Sequence, residues 1–239
     1  MIDFGLVVSL IAAIGAPALL ALRWASDDDW GSNFLDDVTV PLLVGLVAGR
    51  LVTLALDDPN SIGSLSDMLV IRSGVEFWPG VAAAAGVVAW QANRADRSPL
   101  ERLAALAPLA LVGYAAYEAA CVFRDGCLGP VSPVGLRPPG LQTTMLPVGL
   151  LMAAATLAGA VIVHRLQDRV RPTVLVATAA AIVAAVRSLG SVWLPHVSDG
   201  MTRQHRTSVA VLVVATIMAV LLLASSRRVR TNEPVASDG

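Results

Sequence analysis

Charged residues are scarce in this 239-residue chain, and lysine is absent. Only 15% of the residues are charged, and all 17 basic residues are arginine. Soluble globular proteins are nearer a quarter charged. The net charge of −1 gives no indication of a nucleic-acid partner. The absence of lysine, beside many Ala, Val and Gly residues, suggests a GC-rich bacterial genome.

Cysteine and histidine are also rare. Cys121 and Cys127 have no histidine near them in the sequence, so they are weak evidence for a metal site, and a cysteine nucleophile would need a base. We interpret them as structural, and a disulfide across their short loop is one alternative if the geometry allows it. We find no Ser-His-Asp pattern and no Walker or dinucleotide glycine motif, and we expect neither a metal ion nor a cofactor.

What the chain has in excess is long apolar runs, with a mean hydropathy of +0.70. Each run is close to the ~20 residues that span a bilayer. We therefore predict an all-α, polytopic integral membrane protein with seven transmembrane helices in one domain, residues 1–226, and a basic, disordered cytoplasmic tail, residues 227–239. No cleavable signal peptide is visible, and we interpret the first run as a membrane helix. The runs are Ile2–Leu22, Thr39–Leu56, Val75–Ala92, Leu103–Cys121, Thr143–His164, Pro172–Trp193 and Ser208–Ser225.

The distribution of arginine predicts the orientation. Arginines cluster in the links Asn93–Arg102 and Arg165–Arg171 and in the tail after Ser226, all on one side of a seven-helix bundle. Cytoplasmic loops carry an excess of basic residues. The N-terminus is therefore expected outside and the C-terminus in the cytoplasm of a bacterial plasma membrane. The first link, Arg23–Val38, is acidic although it is predicted to be cytoplasmic, but acids count little in this rule.

Four of the apolar runs carry an ionisable residue toward the predicted outer face. They are Arg50, Glu76, Glu118 and Arg187, with Arg124, Arg137 and His196 just beyond. Ionisable residues within membrane helices usually face a protein interior or a water-filled cavity. We therefore predict a site at the level of the outer-leaflet headgroups.

The function that suits this site is binding of an anionic phospholipid, because the arginine fork bonds two phosphate oxygens. Glu76 and Glu118 would hold the arginine side chains or act on a substrate proton. Two alternatives remain open: buried ion pairs that fix the packing of the helices, and arginines that reach to the interface. For Arg124 and Arg137 a solvated loop is the favoured interpretation.

Several segments resemble the bacterial prolipoprotein diacylglyceryl transferase family. Gly45–Leu51 is similar to its Gly/Ala-Arg-Leu segment, and Ile71–Gly80 is similar to its Gly-Gly-x-Ser-Phe-His-Gly-Gly segment. Ala105–Gly129 resembles the form of the family that carries the cysteines, and Arg187–Ser191 occupies the place of its Arg-Phe-x-x-Glu segment. The resemblance covers most of the chain.

The resemblance implies seven helices around a site that opens to the outer leaflet, and transfer of a diacylglyceryl group from phosphatidylglycerol to the lipobox cysteine thiol of a secreted lipoprotein precursor. It implies that Arg50, Arg187, Gly80 and Gly129 bind the lipid, with Arg187 also a catalytic candidate. Glu118 and Glu76 are the further catalytic candidates, because of their charges at the same level. No nucleic acid is implied. Phosphatidylglycerol or another anionic phospholipid is the expected partner.

The chain also departs from the family at several functional positions. The family histidine falls at Trp78, the arginine of the fourth helix at Glu118, its downstream acid at Gly126 and the later glutamate at Ser191. Two hypotheses therefore remain. The first is an active transferase with an altered site, and the second is a degenerate member that binds lipid or a partner without catalysis. A small-solute transporter fits less well, because the charges lie toward one face and no internal repeat is visible.

Overall fold

The chain folds into a helical bundle with one short strand. The computed structural model describes residues 4–24, 34–57, 59, 75–123, 127–138, 141–194 and 201–231. A 3-10 helix, Ala120–Phe123, extends the helix Pro99–Ala119, and the strand β1, Val131–Leu136, forms antiparallel bridges to Met145. The predicted all-helical architecture is confirmed, with β1 as an unpredicted addition. Within the described residues the helices are α1 (Phe4–Trp24), α2 (Phe34–Asp57), α3 (Phe77–Arg94), α4 (Pro99–Ala119), α5 (Val148–Leu166), α6 (Pro172–Trp193) and α7 (Arg203–Thr231).

Within those residues, five helices are long and apolar enough to cross a membrane. They are α2, α4 with its 3-10 extension, α5, α6 and the Arg203–Ser225 part of α7. The apolar part of α1, Val7–Arg23, is shorter, and α3 ends in a polar turn. Large apolar side chains such as Ile217 and Leu221 lie exposed on the outside of the bundle. An extensive apolar exterior is what lipid contact requires, so the chain is a polytopic helical membrane protein.

Most helix starts differ from the prediction: α2 begins at Phe34 rather than Thr39, α4 at Pro99 rather than Leu103, and α5 at Val148 rather than Thr143. Helix α3 begins at Phe77 rather than Val75, and α7 begins at Arg203, five residues before the predicted start at Ser208. His205, which precedes the predicted run Ser208–Ser225, therefore lies in the first turn of α7. The Thr202 side chain accepts a hydrogen bond from the His205 backbone N–H at 3.2 Å, which caps the helix at this earlier point.

Some predictions fall outside the described residues. They concern the acids Asp27 to Asp29 of the first link, Arg124, His196 and residues 232–239.

The bundle is organised around α4, which packs against α1, α3, α5 and α6. Its contact with α1 depends on a glycine and a proline. Pro17 has no N–H, so the Ala13 carbonyl one turn earlier lacks its usual partner in the helix. A Cβ atom on Gly113 would lie 2.7 Å from that carbonyl oxygen. The absence of a side chain at Gly113 therefore lets α4 approach the carbonyl that Pro17 leaves open.

A second proline leaves a carbonyl without its helical donor, and a side chain beyond the end of another helix bonds that carbonyl. Pro108 in α4 cannot donate to the Ala104 carbonyl. Gln167, just after α5, donates from Nε2 to Ala104 O at 3.3 Å and lies 3.4 Å from Ala105 O. In a membrane an unsatisfied carbonyl is costly, so this bond stabilises the α4–α5 contact.

Helices α2 and α3 pack through glycines. Gly45 and Gly49 are four residues apart on α2, the small-xxx-small spacing that lets membrane helices approach closely. A Cβ atom on Gly45 would lie 2.8 Å from Gly80 O, and one on Gly49 would lie 2.6 Å from Glu76 O. This close approach fixes the start of α3, and with it the site, against α2.

The acidic first link is partly neutralised. Asp37, in the first turn of α2, forms a salt bridge with Arg102 near the start of α4. The starts of α2 and α4 therefore lie at the same end of the bundle, and an acid that runs against the arginine pattern has an arginine partner there.

Candidate functional site

The site lies where α3 and α7 begin and α4 and α6 end. The chain enters α3 through Glu76, whose backbone N–H donates to Thr53 Oγ1 at 2.9 Å and to Gly49 O at 3.2 Å. The Thr53 hydroxyl itself donates to Gly49 O at 3.0 Å. These bonds stabilise the residues that precede Phe77, so the first turn of α3 is held by the backbone of α2.

Arg187 of α6 lies against two aromatic rings. Its guanidinium carbon is 4.1 Å from the centre of the Phe77 ring and 5.9 Å from that of Tyr114. The two rings contact each other with centroids 5.5 Å apart. An arginine within ~6 Å of a ring centre is attracted to the face of the ring. Helices α3 and α4 therefore hold the arginine of α6 in one position.

The hydrogen-bond partners of Arg187 are neutral. Its Nη1 donates to Tyr114 Oη at 3.2 Å, and its Nη2 donates to Gln204 Oε1 at 3.4 Å. Its Nε is buried and has no hydrogen-bond partner within the described residues. The side chain as a whole is half-buried. A cation held by neutral groups keeps its charge available for an anion.

Glu118 is buried on α4, one turn after Tyr114. The Tyr114 hydroxyl interacts electrostatically with both the Glu118 carboxylate and the Arg187 guanidinium. Tyr114 therefore connects two of the residues that the sequence predicted at one level. Tyr114 was not among the predicted site residues, because its contact with Arg187 joins positions 73 residues apart.

A second arginine, Arg203, is neutralised by two carboxylates. Its Nη atoms bond both oxygens of Asp57 at 2.9 and 3.0 Å, and its Nε donates to Glu76 Oε1 at 2.6 Å. The Glu76 side chain is only 8% exposed, whereas those of Arg203 and Asp57 are 38% and 43% exposed. This network joins the end of α2 and the starts of α3 and α7, and it compensates the buried charge of Glu76.

A serine and a histidine meet beside Arg187. Ser191, one turn after Arg187 on α6, lies 2.7 Å from His205 Nδ1, measured from Oγ. The same hydroxyl donates to Ser188 O at 2.9 Å. The prediction missed His205 as a site residue because it was assigned to a link. The Thr202 cap, three residues before it, is the signal that could have placed it on a helix.

Trp78, at the position of the family histidine, has a packing contact. Its Nε1 donates to Ser208 Oγ at 3.0 Å, and Ser208 is 1% exposed. The ring also makes an edge contact with Phe77, at 5.1 Å between centroids. Trp78 therefore attaches α3 to α7.

The remaining predicted residues lie in several places. Arg50 is buried on α2 next to Gly49, and Gly80 lies in the α2–α3 contact against Gly45. Gly129 is buried after the cysteine loop, where a Cβ atom would lie 2.6 Å from Val148 Cγ2 and 3.1 Å from Trp193 O. Arg137 is exposed after β1. The two glycines thus lie at close packing contacts.

Cys121 and Cys127 form a disulfide. Cys121 is buried, and a Cβ atom on Gly149 would lie 3.0 Å from Cys121 Cβ. The disulfide therefore ties the end of α4 to the segment that leads through Gly129 toward α5.

These features define a polytopic helical membrane protein with a partly buried site that contains Arg187 at one end of its bundle. A model of the prolipoprotein diacylglyceryl transferase family matches residues 3–225. The match covers nearly the whole chain, which therefore belongs to this family, as the resemblance of its segments predicted. No curated protein sequence matches the chain.

Proposed function

We propose that this protein transfers the diacylglyceryl group of phosphatidylglycerol to the lipobox cysteine thiol of secreted lipoprotein precursors, at the outer leaflet of a bacterial plasma membrane. In this proposal all seven helices span the bilayer, with the N-terminus outside and the C-terminus in the cytoplasm. Membership of the family supports the reaction class. The grouping of Arg187, Tyr114 and Glu76 at one end of the bundle supports a site at headgroup level.

The observation that carries the proposal is the environment of Arg187. Its Nη atoms bond a phenol and an amide, its Nε has no partner in the described residues, and its face lies on Phe77. By contrast, Arg203 bonds two carboxylates. Arg187 therefore suits a phosphate, whose oxygens accept from the planar fork.

In the reaction this arginine acts on the leaving group. As the bond from the glyceryl carbon to the phosphate oxygen breaks, charge grows on the departing glycerol phosphate. A positioned guanidinium in a site of low dielectric stabilises that charge more than water does. Arg50 is the proposed second ligand of the lipid. Glu76 has its carboxylate on Arg203, so we assign it a positioning role.

A mass-shift assay tests the proposal. Purified protein is mixed with phosphatidylglycerol and a lipobox peptide with one cysteine. We expect a diacylglyceryl mass gain on the peptide that is lost in Arg187→Gln and kept in Arg97→Gln, an exposed arginine after the opposite end of α3. No mass gain, beside an active family member as positive control, would contradict the proposal.

A non-catalytic member of the family is the second candidate, and Trp78 favours it. The position of the family histidine is occupied by a side chain that bonds Ser208. A protein of this kind would bind phosphatidylglycerol through Arg187 without transferring it. Lipid binding that depends on Arg187, combined with an unmodified peptide, would support this candidate over the transferase.

A further inference from the structure

We infer that His205, held by Ser191, is the proton acceptor for the incoming cysteine thiol in the proposed transfer. This inference rests on the proposed function and assigns it a residue. In the part of the chain that the structure describes, His164 and His205 are the two histidines, and His164 bonds Gln167 at the opposite end of the bundle. His205 alone of these two lies next to the arginine site.

The hydrogen bonds of Ser191 define the tautomer of His205. A serine hydroxyl carries one proton, and Ser191 gives it to Ser188 O at 2.9 Å. The bond of 2.7 Å between Ser191 Oγ and His205 Nδ1 then requires the proton on Nδ1. Nε2 of the neutral ring is therefore a proton acceptor.

The position of His205 fits this role. Gln204, its neighbour on α7, accepts from Arg187 Nη2, and Ser191 follows Arg187 by one helical turn, a rise of about 5.4 Å. The imidazole is half-buried rather than sealed in the core. A thiol that approaches a lipid whose phosphate is held at Arg187 thus arrives beside the histidine.

The charged groups around this pair come from several helices. Arg187 lies one turn before Ser191 on α6, and Arg203 and Arg206 lie on either side of His205 in the sequence of α7. Asp57 at the end of α2 and Glu76 at the start of α3 neutralise Arg203, and Glu118 of α4 interacts with the Tyr114 hydroxyl that Arg187 bonds. Arg187 is the cation that favours a thiolate over a thiol, since a nearby arginine stabilises the anionic form of sulfur.

The transfer forms a carbon–sulfur bond and breaks a carbon–oxygen bond. The thiol proton passes to His205 Nε2, and the thiolate forms a bond from sulfur to the glyceryl carbon. The bond from that carbon to the phosphate oxygen breaks, and its electron pair leaves with glycerol phosphate. The proton on His205 then passes to the departing phosphate. Ser191 accepts the Nδ1–H throughout and orients the ring, so it is a positioning residue.

The test compares His205→Gln and Ser191→Ala with His164→Gln, a matched histidine variant at the far end of the bundle. General-base catalysis contributes about 10²–10⁴-fold. We expect His205→Gln to lower the transfer rate by about 10²-fold or more, while its affinity for phosphatidylglycerol vesicles stays within about twofold. Ser191→Ala should lower the rate less, and His164→Gln should leave it unchanged.

The pH profile separates a proton acceptor from a structural role. The wild-type rate should depend on pH, and the residual rate of His205→Gln should lose this dependence. If the wild type is active and His205→Gln is equally active, the role of His205 is overturned while the proposed function stands. A His205→Gln variant that loses lipid binding in parallel with transfer also overturns the role of His205 as proton acceptor. A wild type that binds lipid but transfers nothing contradicts the proposed function itself, and this inference with it.

Discussion

The guanidinium of Arg187 lies 4.1 Å from the centre of the Phe77 ring, and this contact joins the C-terminal half of α6 to the first turn of α3. An arginine that stacks on a ring presents its N–H groups at its edge. The stacking therefore stabilises the side chain and leaves donors available for a ligand. This arrangement distinguishes Arg187 from Arg203, whose donors are used by Asp57 and Glu76.

The first prediction concerns lipid affinity. Arg187→Gln should weaken binding of phosphatidylglycerol about tenfold or more, because a hydrogen bond to a charged group contributes roughly 1.5–3 kcal/mol. The affinity of Arg187→Lys should lie between those of the wild type and Arg187→Gln, since lysine keeps the charge and loses the planar fork. Binding is measured in nanodiscs of defined composition, with Arg97→Gln as the control. Equal affinities for wild type and Arg187→Gln would remove Arg187 from the site.

The second prediction concerns the glycine contact that fixes the start of α3. Gly49→Ala should lower the free energy of unfolding by about 1–3 kcal/mol, because its new methyl group would meet a backbone oxygen at 2.6 Å. Gly86→Ala, on an open face of α3, is the matched control and should be neutral or stabilising by up to about 1 kcal/mol. Thermal unfolding in detergent measures both. Equal stability of the two variants would mean that the contact at Gly49 contributes nothing.

The third prediction concerns the bond of Gln167 to the carbonyl that Pro108 leaves open. Gln167→Leu should cost roughly 1 kcal/mol of stability, because it leaves the Ala104 carbonyl without this donor. In a Pro108→Ala background the new N–H of residue 108 replaces the donor, so the same change should cost clearly less. A double-mutant cycle on unfolding in detergent gives the coupling. Identical losses in both backgrounds would rule out this explanation.

The fourth prediction concerns the disulfide and the orientation. A membrane-impermeant maleimide should not label this protein in intact cells, because Cys121 and Cys127 are paired. After treatment with a reductant, Cys127 should react from the outside, whereas Cys121 is buried. In the control variant Cys127→Ser the remaining thiol is Cys121, so labelling of this variant measures reaction at Cys121. Labelling only in inverted vesicles would reverse the proposed orientation.

Much of the fold follows from the apolar runs alone. Helix α6 begins and ends at Pro172 and Trp193, as predicted, because a proline at the first position and an apolar run of one bilayer length specify both ends. The start of α7 was placed too late, since a search for apolar residues passes over the polar turn Arg203–Arg206. The strand β1 was not predicted, because its pairing with Met145 depends on a contact across a Gly- and Pro-rich link.

The site was harder to predict than the helices. The sequence placed Arg187, Glu118 and Glu76 at one level, because hydropathy gives the depth of a residue in a membrane helix. It does not give the direction in which a residue faces. The partners Phe77, Gln204 and His205 therefore emerged only from the packing of α3 and α7 on α6.

In the proposed function, Arg187 assists cleavage of the bond between the glyceryl carbon and the phosphate oxygen of phosphatidylglycerol. A double-label experiment follows both products of this cleavage, with lipid labelled in the acyl chains and in the headgroup glycerol and incubated with the protein and a lipobox peptide. Acyl label on the peptide and free labelled glycerol phosphate should appear in equal amounts, and Arg187→Gln should abolish both. Intact lipid and unmodified peptide in the wild-type reaction, beside an active family member, would contradict the proposed function.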